Sequence, residues 1–489
     1  MAETKNVLAF DLGASSGRGM LARFDGEKIT LEEVHRFPHN FSMLNGHAYW
    51  NILSLMDEMK IGMKKCQENL SGVGFDTWGV DCGLLDKEGN LLAMPGSYRD
   101  PALDEINMLK ALEQIGGEKA AFEATGIASL AYNTIYKLYY MKQKMPSTMQ
   151  AADTVLLMPN LIEYFFSGIK HTEYSIASTT QLYDMQEKKW ATSLMDKLGI
   201  RQDIFTPVEL AGRDLGSLRG DVAEEVGQKN LHIISVPGHD TACAAYAVPA
   251  DTEEYTFLSS GTWSLMGIAS KKMLTGDAII RDKISNEGTA EGGYRPTVNI
   301  IGLWMNQELR RNFASQGKDY SFRDMQEMAA KEKPLQSFIN PDDFMLPGDY
   351  TVKIREYCKK TGQPVPESDG AVIRCMLESL ALKYRQVYDS LKPYITWEEK
   401  LYIVGGGTQN PLLNQFTANA LGIPVITGTS EATAVGNVMS QFKALRIYQS
   451  AEEKSEILAR SFAQKTYLPE EEDAWKEAYG RFENICRHK

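Results

Sequence analysis

Asn6-Val7-Leu8-Ala9-Phe10-Asp11-Leu12-Gly13-Ala14-Ser15-Ser16-Gly17-Arg18 is the stretch that decides how this chain is read. An apolar strand carries one carboxylate, Asp11, into a Gly/Ser turn, and Arg18 re-enters on a second strand. The tip of such a hairpin offers several backbone N–H groups and two hydroxyls at one point, which suits a polyphosphate. Asp11 repels bare phosphate, so its place there makes sense when a divalent cation lies between them. The pattern points to a metal–nucleotide site, although a glycine-rich hairpin without any ligand has the same local signature.

The pattern recurs once. Glu254-Tyr255-Thr256-Phe257-Leu258-Ser259-Ser260-Gly261-Thr262-Trp263-Ser264-Leu265-Met266-Gly267 is again strand, Ser/Gly/Thr tip and strand. One copy opens the chain and the other lies near its midpoint. Two such tips gripping one phosphate tail from opposite sides is the functional reading, and two unrelated Ser/Gly turns the plain one.

A chain of 489 residues is too long for one core and suits two domains. A hydrophobic content of 43% and a charged content of 24% are those of a globular protein in water. The net charge of -12 argues against nucleic acid as a partner, since that binding rests on a basic surface. No run is long enough to span a bilayer, and Met1-Ala2-Glu3-Thr4-Lys5 lacks the apolar core of a signal peptide, so a cytoplasmic protein without a membrane partner is expected. Cys66, Cys82, Cys243, Cys358, Cys375 and Cys486 form no C-x-x-C pair, and the seven histidines, His488 included, show no metal-ligand spacing. Cys358 and Cys375 flank a polar loop where a disulfide is conceivable, but cytosolic thiols are normally reduced.

Along the chain, strands and helices alternate. A third strand is expected at Lys28 to His35, a helix from Ile52 to Cys66 and a strand through Val73 to Asp76. The turn Asp86 to Asn90 is expected to close a hairpin. An antiparallel hairpin leading into α/β units indicates mixed sheets covered by helices. Leu231 to Val236 is a buried strand that stops at Pro237-Gly238, with an Ala-rich helix after it and a boundary near Val248 to Asp251. Ile373, Met376, Leu377, Leu380, Tyr384, Val387 and Leu391 lie at helical spacing. The strand Leu401 to Val404 runs into Gly405-Gly406-Gly407, after which Asn410 caps a helix that Pro411 opens and Gly422 ends. The Lys/Glu-rich segment from Ser450 reads as solvated helix.

Asp240 is the candidate for chemistry, because it follows a buried strand at the edge of the sheet where α/β folds bind ligands. The competing reading is a helix N-cap, a role aspartate fills well. Asp76, Trp78, Gly79 and Asp81, with Tyr98-Arg99-Asp100, are the aromatic and polar groups that a polyhydroxy substrate needs. Asp81 as a turn residue and Trp78 as a core residue are the alternatives. Gly405-Gly406-Gly407 suits a planar ring lying on backbone, or simply a tight turn. Asn299 and Gln307 flank an apolar run and nothing local decides their role. Asn133-Thr134-Ile135-Tyr136-Lys137-Leu138 reads as the start of an amphipathic helix.

Taken together, FDLGASSGR, GFDTWGVD, YNTIYKL, PGHDTA, LSSGTWSLMG, NIIGLW, CKKTGQPVPESD and IVGGGTQN resemble the FGGY carbohydrate kinases, in order and over nearly the whole chain. The departures are Tyr140, where the family signature usually closes with Trp, and Cys82-Gly83 in place of a bulkier apolar pair. The resemblance implies an α/β fold of two actin-like, ribonuclease-H-type domains with a cleft between them. Residues 1–248 would hold the sugar site and first phosphate hairpin, and 249–489 the second hairpin and the adenosine site. Carried over, Ala14, Ser15, Ser16, Gly17, Arg18, Thr262, Gln307 and Gly406 would contact ATP. Gly79, His239, Asp240, Thr241 and Asn299 would line the sugar site, with Asp240 as proton acceptor. Mg²⁺ would accompany ATP, held through water near Asp11. The implied reaction phosphorylates the 1-hydroxyl of a ketose, L-rhamnulose ahead of L-fuculose or xylulose.

Two other classes compete. A non-catalytic actin-like ATPase of the chaperone kind should carry a peptide-binding domain after its nucleotide unit, and none is visible. A sugar-sensing regulator needs a basic helix-turn-helix, whereas this sequence begins directly with the first hairpin.

Overall fold

The structure, a computed structural model, describes residues 5–487. The first four residues, on which part of the localisation expectation rests, and His488 lie outside them. The chain forms two units. The first comprises the residues up to Glu253 together with Ala269–Pro296 and Ala432–Ser461; the second comprises Glu254–Ile268, Thr297–Glu431 and the residues from Phe462 onward.

In the first unit a six-stranded mixed sheet runs in the order Arg213–Ser217, His232–Ser235, Gly72–Thr77, Lys5–Leu12, Ser16–Phe24, Ile29–Pro38. Lys5–Leu12 pairs antiparallel with Ser16–Phe24 and parallel with Gly72–Thr77, which sets Asp11 opposite both Arg18 and Asp76. Side chains alternate across the pleat, so that register puts three ionisable groups side by side at one end of the sheet. One face is covered by the helix Ile52–Lys65, which buries Ile52, Leu55, Met56, Met59 and Met63. Phe10, Phe75 and Phe166 stack in a row, with ring centroids 5.6 and 5.2 Å apart, and tie the two central strands to the helix Met158–Ser167. Another helix, Ala432–Ala444, packs against Lys5–Leu12 and against the short helix Asp240–Tyr246.

In the second unit residues 297–301 and 263–268, then Tyr255–Ser260, Leu401–Val404, Val425–Thr427 and Lys465–Tyr467, lie side by side in that order. Tyr255–Ser260 pairs parallel with Leu401–Val404, again beside an antiparallel hairpin partner. The apolar stripe read from the sequence is the inward face of the 23-residue helix Asp369–Leu391, whose N-cap Ser368 accepts from Ala371 N at 2.9 Å. Asn410 caps the helix Pro411–Leu421 by accepting from Leu413 N at 3.0 Å, and Gly422 ends it at φ +70°.

The turn at Asp86 to Asn90 closes as expected, with Asp86 N donating to Asn90 O and Leu92 N to Leu84 O, each at 2.9 Å, beside the antiparallel bridge Leu85–Leu91, while the longer strand partner of Cys82–Leu85 is Thr154–Leu157. One expectation needs correction. The segment from Ser450 is more than solvated helix. It holds the helices Ala451–Ser461 and Glu472–Arg487 with the sheet-edge strand Lys465–Tyr467 between them, and it buries Lys454, Trp475, Ala478 and Phe482. Charged residues dominate its composition, but the few apolar ones share one helix face. Among the described residues no cysteine is in a disulfide, and Cys358 and Cys375 are hydrogen-bonded to each other.

Candidate active site

Asp240 stands where the strand His232–Ser235 gives way to a helix, and the loop between is fixed by its neighbours. Gly238 O accepts from Thr77 N at 2.9 Å, Gly238 N donates to the buried Glu173 carboxylate at 2.9 Å, and His239 N donates to Ser175 Oγ at 3.3 Å. Glu173 also accepts from Ser175 N, Ser175 Oγ and Ile176 N, which satisfies a carboxylate that is 1% exposed. Asp240 is not the N-cap. The cap is His239, and Asp240 is the first helical residue, its Oδ1 accepting from Thr241 N at 2.6 Å and Thr241 Oγ1 at 3.1 Å. Its carboxylate therefore sits at the N-terminal end of the helix. The helix is pressed onto Ala432–Ala444 at Gly436, where a Cβ would lie 2.5 Å from the carbonyl carbon of Cys243.

The first hairpin forms as read from the sequence. Gly13 N donates to Ser16 O at 3.0 Å, and His39 N donates to Ser15 O at 3.1 Å. Ser15 is exposed at the tip, while Ala14 and Ser16 are half-buried. Arg18 reaches across the strands and donates to Asp11 Oδ2 from Nε at 3.0 Å and from Nη2 at 2.8 Å. Next to this pair lies Asp76, fully buried, accepting from Asn437 Nδ2 at 2.7 Å through Oδ2, while its Oδ1 has no partner. Burial pushes the Asp76 carboxyl well above the ordinary carboxylate range; the charge of Asp11 adds to the push, and that of Asp240 adds less. Asp11, Asp76 and Asp240 thus share one neighbourhood, with Arg18 as the cation in it.

Gly79 lies in a tight reversal. Asp81 N donates to Gly79 O at 2.9 Å, which places Val80 at φ +68°, a γ-turn that costs a β-branched residue strain. Thr179 and Thr134 hold the turn, through Val80 N to Thr179 Oγ1 at 3.0 Å and Thr134 Oγ1 to Val80 O at 2.7 Å. Trp78 is a core residue, 5% exposed, packed against Trp50. Asp81 is neither a surface turn residue nor open to a sugar. Its buried carboxylate accepts from Trp50 Nε1, Trp78 Nε1 at 2.8 Å and Tyr98 N at 3.1 Å, and is ion-paired with Lys137. The helix Thr134–Lys144 is therefore more than amphipathic, since its Lys137 points inward to this carboxylate and to Gly96 O at 2.8 Å.

In the second unit, Gly261 N donates to Trp263 O at 2.9 Å across the second tip, and Gln307 Nε2 donates to Thr262 Oγ1 at 3.3 Å, so these two candidates meet. Gly405, at φ +85°, lies against the end of the same strand: a Cβ there would be 2.9 Å from Ser260 O. Gly406, next in line, is exposed, as is Asn299 on the strand opposite Leu265.

Two residues that touch His239 belong to none of the motifs read from the sequence. Arg295, fully buried, donates from Nη2 to His239 Nδ1 at 3.0 Å and is ion-paired with Glu287, whose Oε2 is 3.2 Å from the same nitrogen. A lone arginine inside the strand Tyr294–Ile301 was the available signal, because a buried guanidinium demands a carboxylate.

Sequence models for the N-terminal and C-terminal domains of the FGGY family of carbohydrate kinases match residues 6–247 and 256–445. The chain belongs to this family and is an ATP-dependent carbohydrate kinase. It is 39% identical over 489 residues to the rhamnulokinase of Bacteroides thetaiotaomicron, covering 99% of this chain and 100% of that one, so it is a rhamnulokinase-like sugar kinase. The fold matches that of a xylulose kinase from Rhodospirillum rubrum (TM-score 0.82, 16% identity, 98% of each chain). It also matches a Plasmodium falciparum glycerol kinase with ADP (TM-score 0.78, 15% identity, 99% of this chain and 98% of that one). The expected class, mixed actin-like sheets covered by helices in a two-domain kinase fold, is borne out. No helix among the described residues is long and apolar enough to cross a membrane. ATP-dependent kinases of this kind usually use a divalent cation. Among the described residues no three His, Cys, Asp or Glu side chains form a direct metal cage. The crowding of carboxylates around Asp11 nevertheless fits a cation held through water and the nucleotide.

Proposed function

We propose that this kinase transfers the γ-phosphoryl group of ATP to the 1-hydroxyl of L-rhamnulose, giving ADP and L-rhamnulose 1-phosphate in L-rhamnose breakdown. The full-length similarity to a rhamnulokinase carries the choice of sugar. Asp240 is assigned the general base, and its position at a helix N-terminus beside His239 supports that role. As the sugar oxygen bonds to the γ-phosphorus, Asp240 takes its proton, and the bridging oxygen leaves with ADP. The sugar is assigned to Gly79, His239, Asp240 and Thr241 in the first unit and Asn299 in the second. ATP is assigned to Ala14, Ser15, Ser16, Gly17 and Arg18 in the first unit and to Thr262, Gln307 and Gly406 in the second. Backbone N–H groups at the hairpin tips bind phosphate oxygens and stabilise their charge. Asp11 would hold, through water, the Mg²⁺ that accompanies ATP, and the cation would supply charge neutralisation on the polyphosphate. The division at 1–248 and 249–489, and a cytoplasmic setting where ATP is available, belong to the same reading.

The test is ADP release over a panel of L-rhamnulose, L-fuculose and xylulose, with wild type and Asp240→Asn side by side. L-Rhamnulose should give the highest kcat/KM, and Asp240→Asn should lose about 10² to 10⁴ in kcat with ATP affinity unchanged. A preference for another ketose would reassign the sugar, and near-normal turnover by Asp240→Asn would remove the base.

A further inference from the structure

We propose that Glu287 and Arg295 act as a positioning pair that fixes the tautomer of His239, so that its Nε2–H is presented to the ketose; the ketose part of this inference rests on the sugar-site reading above. The three side chains belong to one unit, from the segments ending at Glu253 and spanning Ala269–Pro296. His239 Nδ1 is 3.0 Å from Arg295 Nη2, and His239 Nε2 is 3.4 Å from Asp240 Oδ1. Arginine has only donors to offer and does not lose its proton, so a guanidinium N–H aimed at Nδ1 needs a lone pair there. In the neutral ring the proton is then on Nε2, the nitrogen turned toward Asp240.

Glu287 makes this arrangement affordable in a buried place. Arg295 is fully buried and would be an isolated charge without the Glu287 carboxylate against Nη2. Its Nε and Nη1 have no partner, so the guanidinium is held by the Glu287–His239 side alone. Glu287 is itself fixed by the backbone on either side. Asn286 Nδ2 donates to Gly126 O at 2.8 Å and Leu274 O at 3.0 Å, and Gly288 N donates to Ser178 Oγ at 2.9 Å. A Cβ on Gly288 would lie 2.7 Å from the Tyr174 ring, so that strand sits as close as glycine permits. Burial pushes the Glu287 carboxyl up, but the Arg295 guanidinium against it outweighs that and holds it below the ordinary carboxylate range, so it is an anion.

The arrangement contains its own switch of tautomer. Glu287 Oε2 is 3.2 Å from the same Nδ1. Once the arginine donor is removed, the carboxylate becomes the best partner for that nitrogen and draws the proton from Nε2 to Nδ1. An acceptor then replaces the donor on the sugar side of the ring. The pair thus acts through His239 on binding and orientation and takes no part in the proton transfer itself, following the logic by which outer partners set the roles of imidazole nitrogens elsewhere.

Imidazole ¹⁵N NMR on uniformly [¹⁵N]His-labelled full-length enzyme tests this, with the His239 signals assigned by their loss in His239→Asn. Wild type should show Nδ1 without a proton and Nε2 protonated. Arg295→Met should reverse the two, Arg295→Lys should restore the wild-type pattern, and the double variant Glu287→Gln/Arg295→Met, which removes both buried charges, serves if the single variant does not fold. In kinetics, Arg295→Met should raise the ketose KM by about tenfold with the ATP KM unchanged. A protonated Nδ1 in wild type, or an unreversed pattern in Arg295→Met, overturns the positioning role; in the double variant, which lacks both the donor and the carboxylate, the wild-type preference should be lost, and its persistence there overturns the role equally. The expected NMR reversal with an unchanged ketose KM instead sinks the sugar-side part, and with it the assignment of His239 to the sugar, while leaving Asp240 to its own test.

Discussion

Gly436→Ala tests the placement of Asp240 from behind. A Cβ at 436 would lie 2.5 Å from the carbonyl carbon and 2.9 Å from the Cα of Cys243. Carbon atoms pack at about 3.5 to 4.0 Å, so the two helices must separate by roughly 1 to 1.5 Å. Both close atoms are backbone, so no rotamer change relieves the clash. Cys243 is one turn along from Asp240 in the same helix, and the displacement is transmitted to the carboxylate. A misplacement of about 1 Å typically costs about 10²-fold in rate. Overpacking of this kind costs about 1 to 3 kcal/mol, or about 2 to 4 °C in Tm for each kcal/mol in a unit of this size. Coupled ADP release should therefore show kcat lowered about a hundredfold, and calorimetry a lower Tm. Gly480→Ala is the control, because nothing lies within 4 Å of a Cβ there and the residue is inside the helix Glu472–Arg487. It should keep full activity and gain up to about 1 kcal/mol. If Gly436→Ala keeps kcat within threefold and Tm within a degree of wild type, the helix contact does not hold Asp240 and the reasoning fails.

Other consequences are open to measurement. Lys137→Met leaves the buried Asp81 carboxylate without its cation and should cost about 3 to 5 kcal/mol in urea unfolding, with much of the loss recovered in Asp81→Asn/Lys137→Met; a loss under 1 kcal/mol would mean the pair is solvated. Burial raises the Glu378 carboxyl to about 7 despite Arg374 beside it. A folded pKa above the unfolded 4.5 means the native state holds the extra proton, so wild-type stability should fall as pH rises from about 4.5 to 7, by on the order of 3 kcal/mol, and Glu378→Gln should flatten that slope. A slope equal in both proteins would place the titration elsewhere. Cys486 is the one cysteine that is not buried, so Ellman's reagent should modify it in the native enzyme and the other five only on unfolding. Rapid labelling that persists in Cys486→Ser would contradict the burial.

What the sequence made legible was local. Alternating apolar residues ending in Gly/Ser gave both hairpins, and Ser/Gly turn chemistry fixed their tips. Asn410, Pro411 and Gly422 marked a helix by capping rules that act over a few residues. Asp240 was found by its place after a buried strand, but its helix begins one residue earlier than an aspartate cap would have it, because the Glu173 carboxylate anchors the preceding loop. That anchor is 65 residues away from Gly238 in sequence. Asp81 with Lys137, and Arg295 with Glu287 and His239, are likewise side-chain pairings across strands or helices that no local pattern encodes. Only the demand of a buried charge for a counter-charge could have flagged them.

The first unit is sewn together from three stretches of chain, and this has a consequence for its birth on the ribosome. Asn437, the amide partner of the buried Asp76, and Gln441, which donates to Asn437 Oδ1, reside in the last stretch, which ends at Ser461. When Glu253 has been added to the growing chain, roughly two hundred residues must still be translated before Ser461, about 10 to 40 s at ordinary elongation rates. Throughout that interval the sheet lacks the helix that seals one of its faces, so the nascent polypeptide is a client for holding chaperones. An isolated amino-terminal half would stay in that unsealed condition indefinitely.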